Sequence, residues 1–138
     1  MPLRAMINAM STTNILDFLA IAMSVIHVYI FYLESIAWGK PSVNRAFGVT
    51  DAHAQIMRPM AFNQGFYNLF LAIAFLVAYF WASHAETAAA AQTLRDYAAL
   101  SVLGAGFILW LSNPKLIRPA LIQAGPAALY WIMRLAFQ

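Results

Sequence analysis

Residues 60–82 read MAFNQGFYNLFLAIAFLVAYFWA, and this stretch decides the fold. It contains 23 residues without a single Asp, Glu, Lys, Arg or His. A helix rises about 1.5 Å per residue, so a stretch of this length crosses the hydrocarbon core of a bilayer, which is about 30 Å thick. The pattern predicts a transmembrane helix, and the rest of the chain is interpreted around it.

The composition of the whole chain agrees with a membrane location. Of its 138 residues, 63% are hydrophobic and only 9% are charged, whereas a soluble domain has about 45–50% apolar and about 25% charged residues. The chain has no cysteine, which excludes a disulfide-stapled domain, thiol catalysis and cysteine-ligated metal sites. Its Lys and Arg residues are scattered singly, so we expect no nucleic-acid partner.

Three further segments have the length and hydrophobicity of spans. Residues 15–38 form an apolar stretch that also carries ionisable groups, residues 94–112 end at a Ser-Asn-Pro helix stop, and residues 116–137 carry an arginine near each end. Together with residues 60–82 they predict an all-α, polytopic membrane protein. Its fold class is an antiparallel four-transmembrane-helix bundle, formed by residues 15–138 as a single domain.

Two segments outside the spans are also interpretable. Residues 1–14 are polar and are expected to form an N-terminal tail. In the first loop, residues 50–57 have the pattern of a short helix, with Thr50 as N-cap and Asp51 in the first turn. We expect this short helix to lie at the membrane interface.

The basic residues orient the bundle. With four spans, both termini lie on the same side of the membrane. Five basic residues fall in the first and third loops and three on the other side: Lys40, Arg45, Arg58, Lys115 and Arg118 against Arg4, Arg95 and Arg134. Because Lys and Arg are enriched in cytoplasmic loops, we expect both termini outside.

The first span carries two ionisable groups on one face. His27 and Glu34 are seven residues apart, so on a helix they project about 20° from each other and lie about 10.5 Å apart along the axis. An ionisable group inside a span is costly and is by default a functional candidate. We interpret the two as a proton-handling pair and as candidate catalytic residues. Asp17, near the outer boundary, is expected to interact with the helix dipole.

The second span begins with an unusual concentration of amides. If the first two spans are antiparallel, the numbers of residues at equal depth add to a constant, which places Glu34 level with Asn63 and His27 level with Asn68. The candidate ligand-binding residues are Asn63, Gln64, Tyr67, Asn68 and, from the fourth span, Gln123. Two interpretations stay open: these side chains bind a ligand, or they hydrogen-bond across helices for about 0.6 kcal/mol each.

The positions of the three histidines bear on whether the protein could bind haem or a metal ion. Only His27 is predicted to point inward, while His53 and His84 lie in loops, so we expect no haem within one subunit. Two inward ligands on one helix are a weak pattern for a metal ion. We therefore predict no metal and no other cofactor.

The motifs together resemble a known family. They are HVYIFYLE at residues 27–34, Phe47-Gly48 in the first loop, NQGFYNLFLA at residues 63–72 and QAGPA at residues 123–127. Over roughly residues 15–133 the chain is similar to a family of small four-helix integral membrane proteins of unknown function, found in bacteria and fungi. The resemblance implies the fold and the polar set, but no activity. The expected location is the inner (plasma) membrane of a bacterium.

Three functions fit these observations. In the first, the polar set forms an intramembrane pocket, surrounded by membrane lipids, that binds or processes a small lipophilic molecule. In the second, a homodimer transports a small solute or a cation. In the third, the chain is an accessory subunit that binds another membrane protein, and its polar groups only stabilise it. Phosphate-binding loops and hydrolase motifs are missing from the sequence. The sequence alone therefore does not identify a reaction.

Overall fold

The regular structure of the chain is entirely helical over the residues described. The computed structural model describes the backbone of residues 3–137 and the side chains of residues 12–137. The elements are α1 (Leu3–Phe31), a π-helical segment (Tyr32–Ile36), α2 (Pro41–Phe47), α3 (Asp51–Trp81), α4 (Ala88–Ser112), a 3-10 turn (Pro114–Leu116) and α5 (Ile117–Ala136). The all-α class predicted from the sequence is confirmed.

The four long helices α1, α3, α4 and α5 pack side by side as a ring. α1 packs against α3 and α5, and α4 packs against the same two helices. α1 and α4 touch at only a few positions, so they lie at opposite corners of the ring. The short α2 contacts α3 beside the loop that joins α1 to α3.

Three of the helices are long and apolar enough to cross a membrane. The segments are Thr12–Ile36, Asp51–Trp81 and Ala88–Ser112. α5, which coincides with the span predicted at residues 116–137, does not belong to this set. Its two arginines, its glutamine and its two prolines lower its mean hydropathy. The described residues therefore contain three candidate spans where the sequence predicted four.

The first loop differs from the arrangement expected. Residues 50–57 do not form a separate interfacial helix. Thr50 precedes α3, residues 51–57 form its first turns, and α3 continues through Pro59. Thr50 is the N-cap, as predicted, and its hydroxyl accepts a hydrogen bond from the N–H of His53 at 3.3 Å. The short helix of the loop is instead α2, which ends at Phe47 and is capped by Gly48 with a positive φ of 67°.

A small apolar cluster around Trp38 explains why α3 continues through its proline. Trp38 packs with Ala54 and Ala61, which lie on either side of Pro59. The indole N–H of Trp38 also donates a hydrogen bond to the carbonyl O of Ala54 at 2.8 Å. Burial on both sides of the proline offsets the backbone hydrogen bond that proline cannot donate.

α1 also extends beyond its predicted start. It begins at Leu3 and so includes most of the predicted tail, residues 1–14, of which residues 1 and 2 lie outside the described part. From residue 3 to 14 the sequence has no Gly or Pro, and half of its residues are Ala, Met, Leu or Arg, which favour helix. The polarity of the segment therefore did not prevent it from being helical.

The core lies in the middle of the ring, where small residues surround a few large ones. Each long helix contributes at least one large side chain that is fully buried: Met23 and His27 from α1, Phe75 from α3, Val102 from α4 and Tyr130 from α5. Between them lie Ala20, Ala98, Ala99 and Ala127. Small residues allow membrane helices to approach one another closely. The same is true of Gly106 in α4, where a Cβ would lie 2.5 Å from the Cβ of Ala124 in α5.

Candidate functional site

Two hydrogen bonds fix how the first helical stretch lies against α3. The hydroxyl of Ser24 donates to the carbonyl O of Ala72 at 3.0 Å, and the hydroxyl of Ser35 donates to the carbonyl O of Phe62 at 2.9 Å. The two stretches are therefore antiparallel, and the residue numbers at equal depth add to nearly the same value at both bonds. This agrees with the register expected from the sequence.

His27 is fully buried, and within the described part of the chain only one of its two ring nitrogens forms a hydrogen bond. Its exposed fraction is 0%, and its Nδ1 lies 2.8 Å from the carbonyl O of Met23, one turn earlier. A carbonyl only accepts, so Nδ1 carries the proton of this hydrogen bond, and the neutral ring keeps a free lone pair on Nε2. Among the described residues, Nε2 has no hydrogen-bond partner.

Glu34 lies in the π-helical segment that follows α1. Such a segment widens the helical turn and changes the direction of its side chains, and π turns are frequent at functional sites. The amide of Asn68 donates a hydrogen bond to Oε2 of Glu34 at 2.9 Å. The same amide nitrogen lies 3.1 Å from the carbonyl O of Gln64, and Asn68 is buried. One carboxylate oxygen of Glu34 is thus held by α3.

Gly65 allows α3 to approach the π-helical segment closely. A Cβ at this position would lie 3.2 Å from the Cβ of Glu34 and 3.2 Å from the carbonyl O of Phe31. It would also overlap with the hydroxyl of Ser35. The glycine of the Asn-Gln-Gly block therefore has a structural role, because it brings Glu34 within reach of Asn68.

The remaining predicted ligand-binding residues are not gathered at this place. Asn63, Gln64 and Tyr67 have exposed side chains on α3, and Gln123 is half-buried on α5. Within the described side chains, none of these four forms a hydrogen bond with the ionisable pair on the first helical stretch. Of the predicted set, the structure joins Glu34 with Asn68.

A second polar network, which the sequence did not reveal, lies towards the other end of the bundle. Arg95 of α4 is buried and forms an ion pair with Asp17 of α1, with 2.7 Å between Nη1 and Oδ1. The neighbouring Asp96 accepts hydrogen bonds from the hydroxyl of Tyr130 at 2.5 Å and from the amide of Gln92 at 2.7 Å. The network therefore connects α1, α4 and α5.

The position of Asp17 differs from the one predicted from the sequence. The sequence predicted an interaction with the dipole at the start of a helix, but α1 begins at Leu3 and Asp17 lies well inside it. A signal for the network was present in α4, where Gln92, Arg95 and Asp96 have the spacing that places side chains on one side of a helix. A polar face on a helix of this length predicts a polar partner.

Two cavities lie near the ends of the bundle. The larger, about 410 Å³, is lined by Asp17, Gln92 and Arg95 among others. The smaller, about 180 Å³, lies beside the first loop. Neither is lined by His27 or Glu34. These two cavities therefore do not coincide with the pocket expected from the sequence.

The chemistry open to His27 and Glu34 is hydrogen bonding and proton transfer. No group of three His, Cys, Asp or Glu side chains that could hold a metal ion occurs in the part of the chain that the structure describes. A neutral imidazole with a free Nε2 accepts a proton, and a carboxyl group accepts or donates one according to its protonation state.

The fold and its buried polar groups define a class of protein. It is a small all-α protein with three helices long and apolar enough to cross a membrane, and with ionisable side chains buried between its helices. The chain belongs to the family described as Protein of unknown function (DUF1304), whose model matches residues 21–135. The match confirms the resemblance carried by the motifs. No curated protein and no solved structure matches the chain at a significant level.

Proposed function

We propose that the protein is an integral membrane protein with four spans and an intramembrane site, at His27, Glu34 and Asn68, for the polar end of a small lipophilic molecule. α5 supplies the fourth span. It packs along α1 and α4, as α3 does on the other side of the ring. Its exposed side chains include a set that suits lipid contact: Leu121, Ile122, Leu129, Ile132 and Leu135.

The proposed orientation follows from the basic residues. With α5 as a span, the loop that contains α2 and the loop between α4 and α5 share one side, and these loops and the adjoining first turns of α3 and α5 carry five of the eight basic residues. Enrichment of Lys and Arg marks the cytoplasmic side. Both termini then lie outside the cytoplasm. The membrane that we propose is the inner (plasma) membrane of a bacterium.

The observation that carries the proposed site is the unpartnered Nε2 of His27. The side chain is fully buried, and packing alone does not favour it there. A buried polar atom without a partner costs about 1–3 kcal/mol, and an ionisable side chain within a span is by default a sign of function. A ligand that donates a hydrogen bond to Nε2 would remove this cost.

Glu34 complements His27 nearer the cytoplasmic end. Asn68 holds one of its carboxylate oxygens, which leaves the other for a ligand. The two ionisable groups are about 10.5 Å apart along the helix. They would therefore contact two polar atoms of one elongated molecule, or accept a proton at one position and donate it at another. The substrate class that fits is an apolar molecule with hydroxyl or carbonyl groups.

The exposed amides of α3 favour a second candidate function, which is association with a second copy or with another membrane protein. The amides Asn63 and Gln64, and the neighbouring phenol of Tyr67, are exposed within a candidate span. Amides that face lipid are costly unless they find partners. A homodimer that transports a small solute or cation, or an accessory subunit of a larger complex, would provide such partners.

The experiment that tests the first proposal compares small molecules that copurify with the full-length protein. Wild type and two variants are extracted from membranes in mild detergent and analysed by mass spectrometry of the organic extract. The first variant is His27→Leu, which removes Nε2. The second is the matched control His84→Leu, which changes an exposed histidine in the turn between α3 and α4.

A lipophilic compound enriched with wild type and His84→Leu, and reduced at least tenfold with His27→Leu, would support the proposal. Identical extracts from the three proteins would overturn it. The midpoint of thermal unfolding of each purified protein serves as the folding control. A third variant, Glu34→Gln, keeps the size of the side chain and should also reduce the amount of the compound.

A further inference from the structure

The larger cavity, about 410 Å³, lies where α1, α3 and α4 meet the turn between α3 and α4. It is bordered by Asp17, which lies about 15 Å along α1 from His27, and His27 does not line it. The cavity is therefore separate from the site at His27, and a ligand bound in it would be independent of the proposed function.

Two of the neutral polar side chains that line this cavity, Gln92 and Ser83, present acceptors to it. Gln92 uses its amide nitrogen on Asp96 at 2.7 Å and on the hydroxyl of Tyr130 at 2.9 Å, which leaves its carbonyl oxygen for another group. Ser83 donates its hydroxyl hydrogen to the carbonyl O of Phe80 at 2.8 Å, and its oxygen lies 3.1 Å from Nδ1 of His84. A hydroxyl oxygen has two lone pairs, so one remains as an acceptor for a ligand. A ligand at this cavity would need to donate.

Asp17 adds a negative charge to these acceptors. Its side chain is 30% exposed, whereas the side chain of Arg95, its ion-pair partner, is only 5% exposed. The more accessible part of the ion pair is thus the carboxylate, and the guanidinium is held in the protein. The adjacent ends of α3 and α4 contribute opposite helix dipoles, which offset each other.

Aromatic rings form another part of the wall. Tyr79 and Phe80 both line the cavity, and their ring centroids are 5.7 Å apart with the planes nearly perpendicular. The face of an aromatic ring attracts a cation within about 6 Å. Arg95 also lines the cavity, but its guanidinium is paired with Asp17 and is only 5% exposed, so the accessible groups are the rings, the carboxylate and the neutral acceptors, which suit an organic cation.

From these contacts we infer that the cavity binds the primary ammonium group of a small amine or of an amine-bearing amphiphile. A primary ammonium has three N–H donors, which matches the carboxylate of Asp17, the carbonyl oxygen of Gln92 and the hydroxyl oxygen of Ser83. Ligand cavities typically measure about 300–1,000 Å³. At about 410 Å³, this one has room for the ammonium and part of an attached chain.

The test uses the full-length protein in detergent micelles, octylammonium as the probe and isothermal titration calorimetry as the measurement. Two probes with the same chain serve as controls: octanol has no charge, and octyltrimethylammonium has a charge but no N–H. We expect both to bind at least tenfold more weakly than octylammonium. Similar affinities for octylammonium and either control would overturn the inference, because the N–H donors or the charge would then be irrelevant.

Variants that fill the cavity locate the site. Ala88→Phe adds a ring at a lining position, and Ala90→Phe adds the same ring at an exposed position of α4 outside the lining. The first should weaken octylammonium binding at least tenfold, and the second should leave it unchanged. If Ala88→Phe fails to fold, Ala82→Phe replaces it, because Ala82 is an exposed lining residue in the turn. Undiminished binding to a folded cavity-filling variant would overturn the inference.

Competition separates the two sources of the amine. Displacement of octylammonium by phosphatidylethanolamine in the micelle, with none by phosphatidylcholine, supports a lipid head group as the ligand. Displacement by free ethanolamine supports a soluble amine. Displacement by neither amine overturns the inference. His27→Leu should bind octylammonium as wild type does, so failure of this inference and failure of the proposed function are distinguishable.

Discussion

The carboxylate of Asp17 and the guanidinium of Arg95 form an ion pair of 2.7 Å across the diagonal of the four-helix ring. Their helices, α1 and α4, otherwise touch at few positions because α3 and α5 lie between them. The ion pair thus joins opposite corners of the bundle directly. Its two members are not equally buried, which makes the consequences of removing each one different.

Asp17→Asn is expected to lower the free energy of unfolding by about 3 kcal/mol, because it leaves the buried Arg95 without a counter-charge. Arg95→Gln should cost less, since Asp17 is 30% exposed and water can solvate it. The double variant should be more stable than Asp17→Asn alone. Unfolding by SDS in mixed micelles, followed by circular dichroism, measures the three values. A larger loss for Arg95→Gln than for Asp17→Asn would contradict this account.

Tyr130 links α5 to α4 through its hydroxyl, which donates to Asp96 at 2.5 Å and accepts from Gln92 at 2.9 Å. Tyr130→Phe keeps the ring in the core and removes both hydrogen bonds. We expect a loss of about 2 kcal/mol, because a hydrogen bond to a charged group contributes about 1.5–3 kcal/mol. The same unfolding measurement applies. The matched control is Tyr97→Phe, at a position 69% exposed, which should change stability little.

Gly65 determines how closely α3 approaches the π-helical segment. Gly65→Ala should destabilise the protein and separate Glu34 from Asn68, since the added methyl group overlaps with the hydroxyl of Ser35. Combining it with Ser35→Ala should restore part of the lost stability. The midpoint of thermal unfolding gives both results.

The control for this substitution is Gly104→Ala in α4, where an added Cβ meets nothing within 4 Å. Alanine is favoured over glycine within a helix by about 1 kcal/mol, so this variant should be as stable as wild type or more so. Equal effects of the two glycine substitutions would show that helix propensity, and not the contact of α3 with the π-helical segment, decides the outcome.

The depth of residues in the first two helical stretches could be predicted from the sequence. The direction in which each side chain points from the helix axis could not. In an antiparallel pair of helices, the numbers of residues at equal depth add to a constant, which fixes the register. The hydrogen bond from Ser24 to Ala72 agrees with this predicted register. Asn63 and Asn68 have the same side chain in the same motif, yet only Asn68 is buried. The rotation of α3 that separates them depends on packing at small residues such as Gly65, which periodicity alone does not specify.

The diagonal ion pair could not be predicted for a different reason. Asp17 and Arg95 are distant in the sequence, and their meeting depends on the order of the helices around the ring. The sequence indicated that each helix has a polar position, but not which helix faces which. The length of α1 also mattered, because its start at Leu3 places Asp17 in the interior of a helix.

The proposed fourth span predicts on which side of the membrane the end of α5 lies. The chain has no cysteine, so single cysteines can be introduced without removing native ones. Three exposed positions report on the topology: Ser42 in α2, Glu86 in the turn between α3 and α4, and Phe137 at the end of α5. A membrane-impermeant maleimide is added to intact cells, and labelling is compared with that of permeabilised cells.

With four spans and external termini, Glu86→Cys and Phe137→Cys should be labelled in intact cells, and Ser42→Cys only after permeabilisation. If α5 does not cross the membrane, Phe137→Cys becomes protected while Glu86→Cys stays labelled, because the two positions then lie on opposite sides. Labelling of Ser42→Cys alone in intact cells would show four spans in the inverted orientation. That result would contradict the placement of the five basic residues in and next to the first and third loops on the cytoplasmic side.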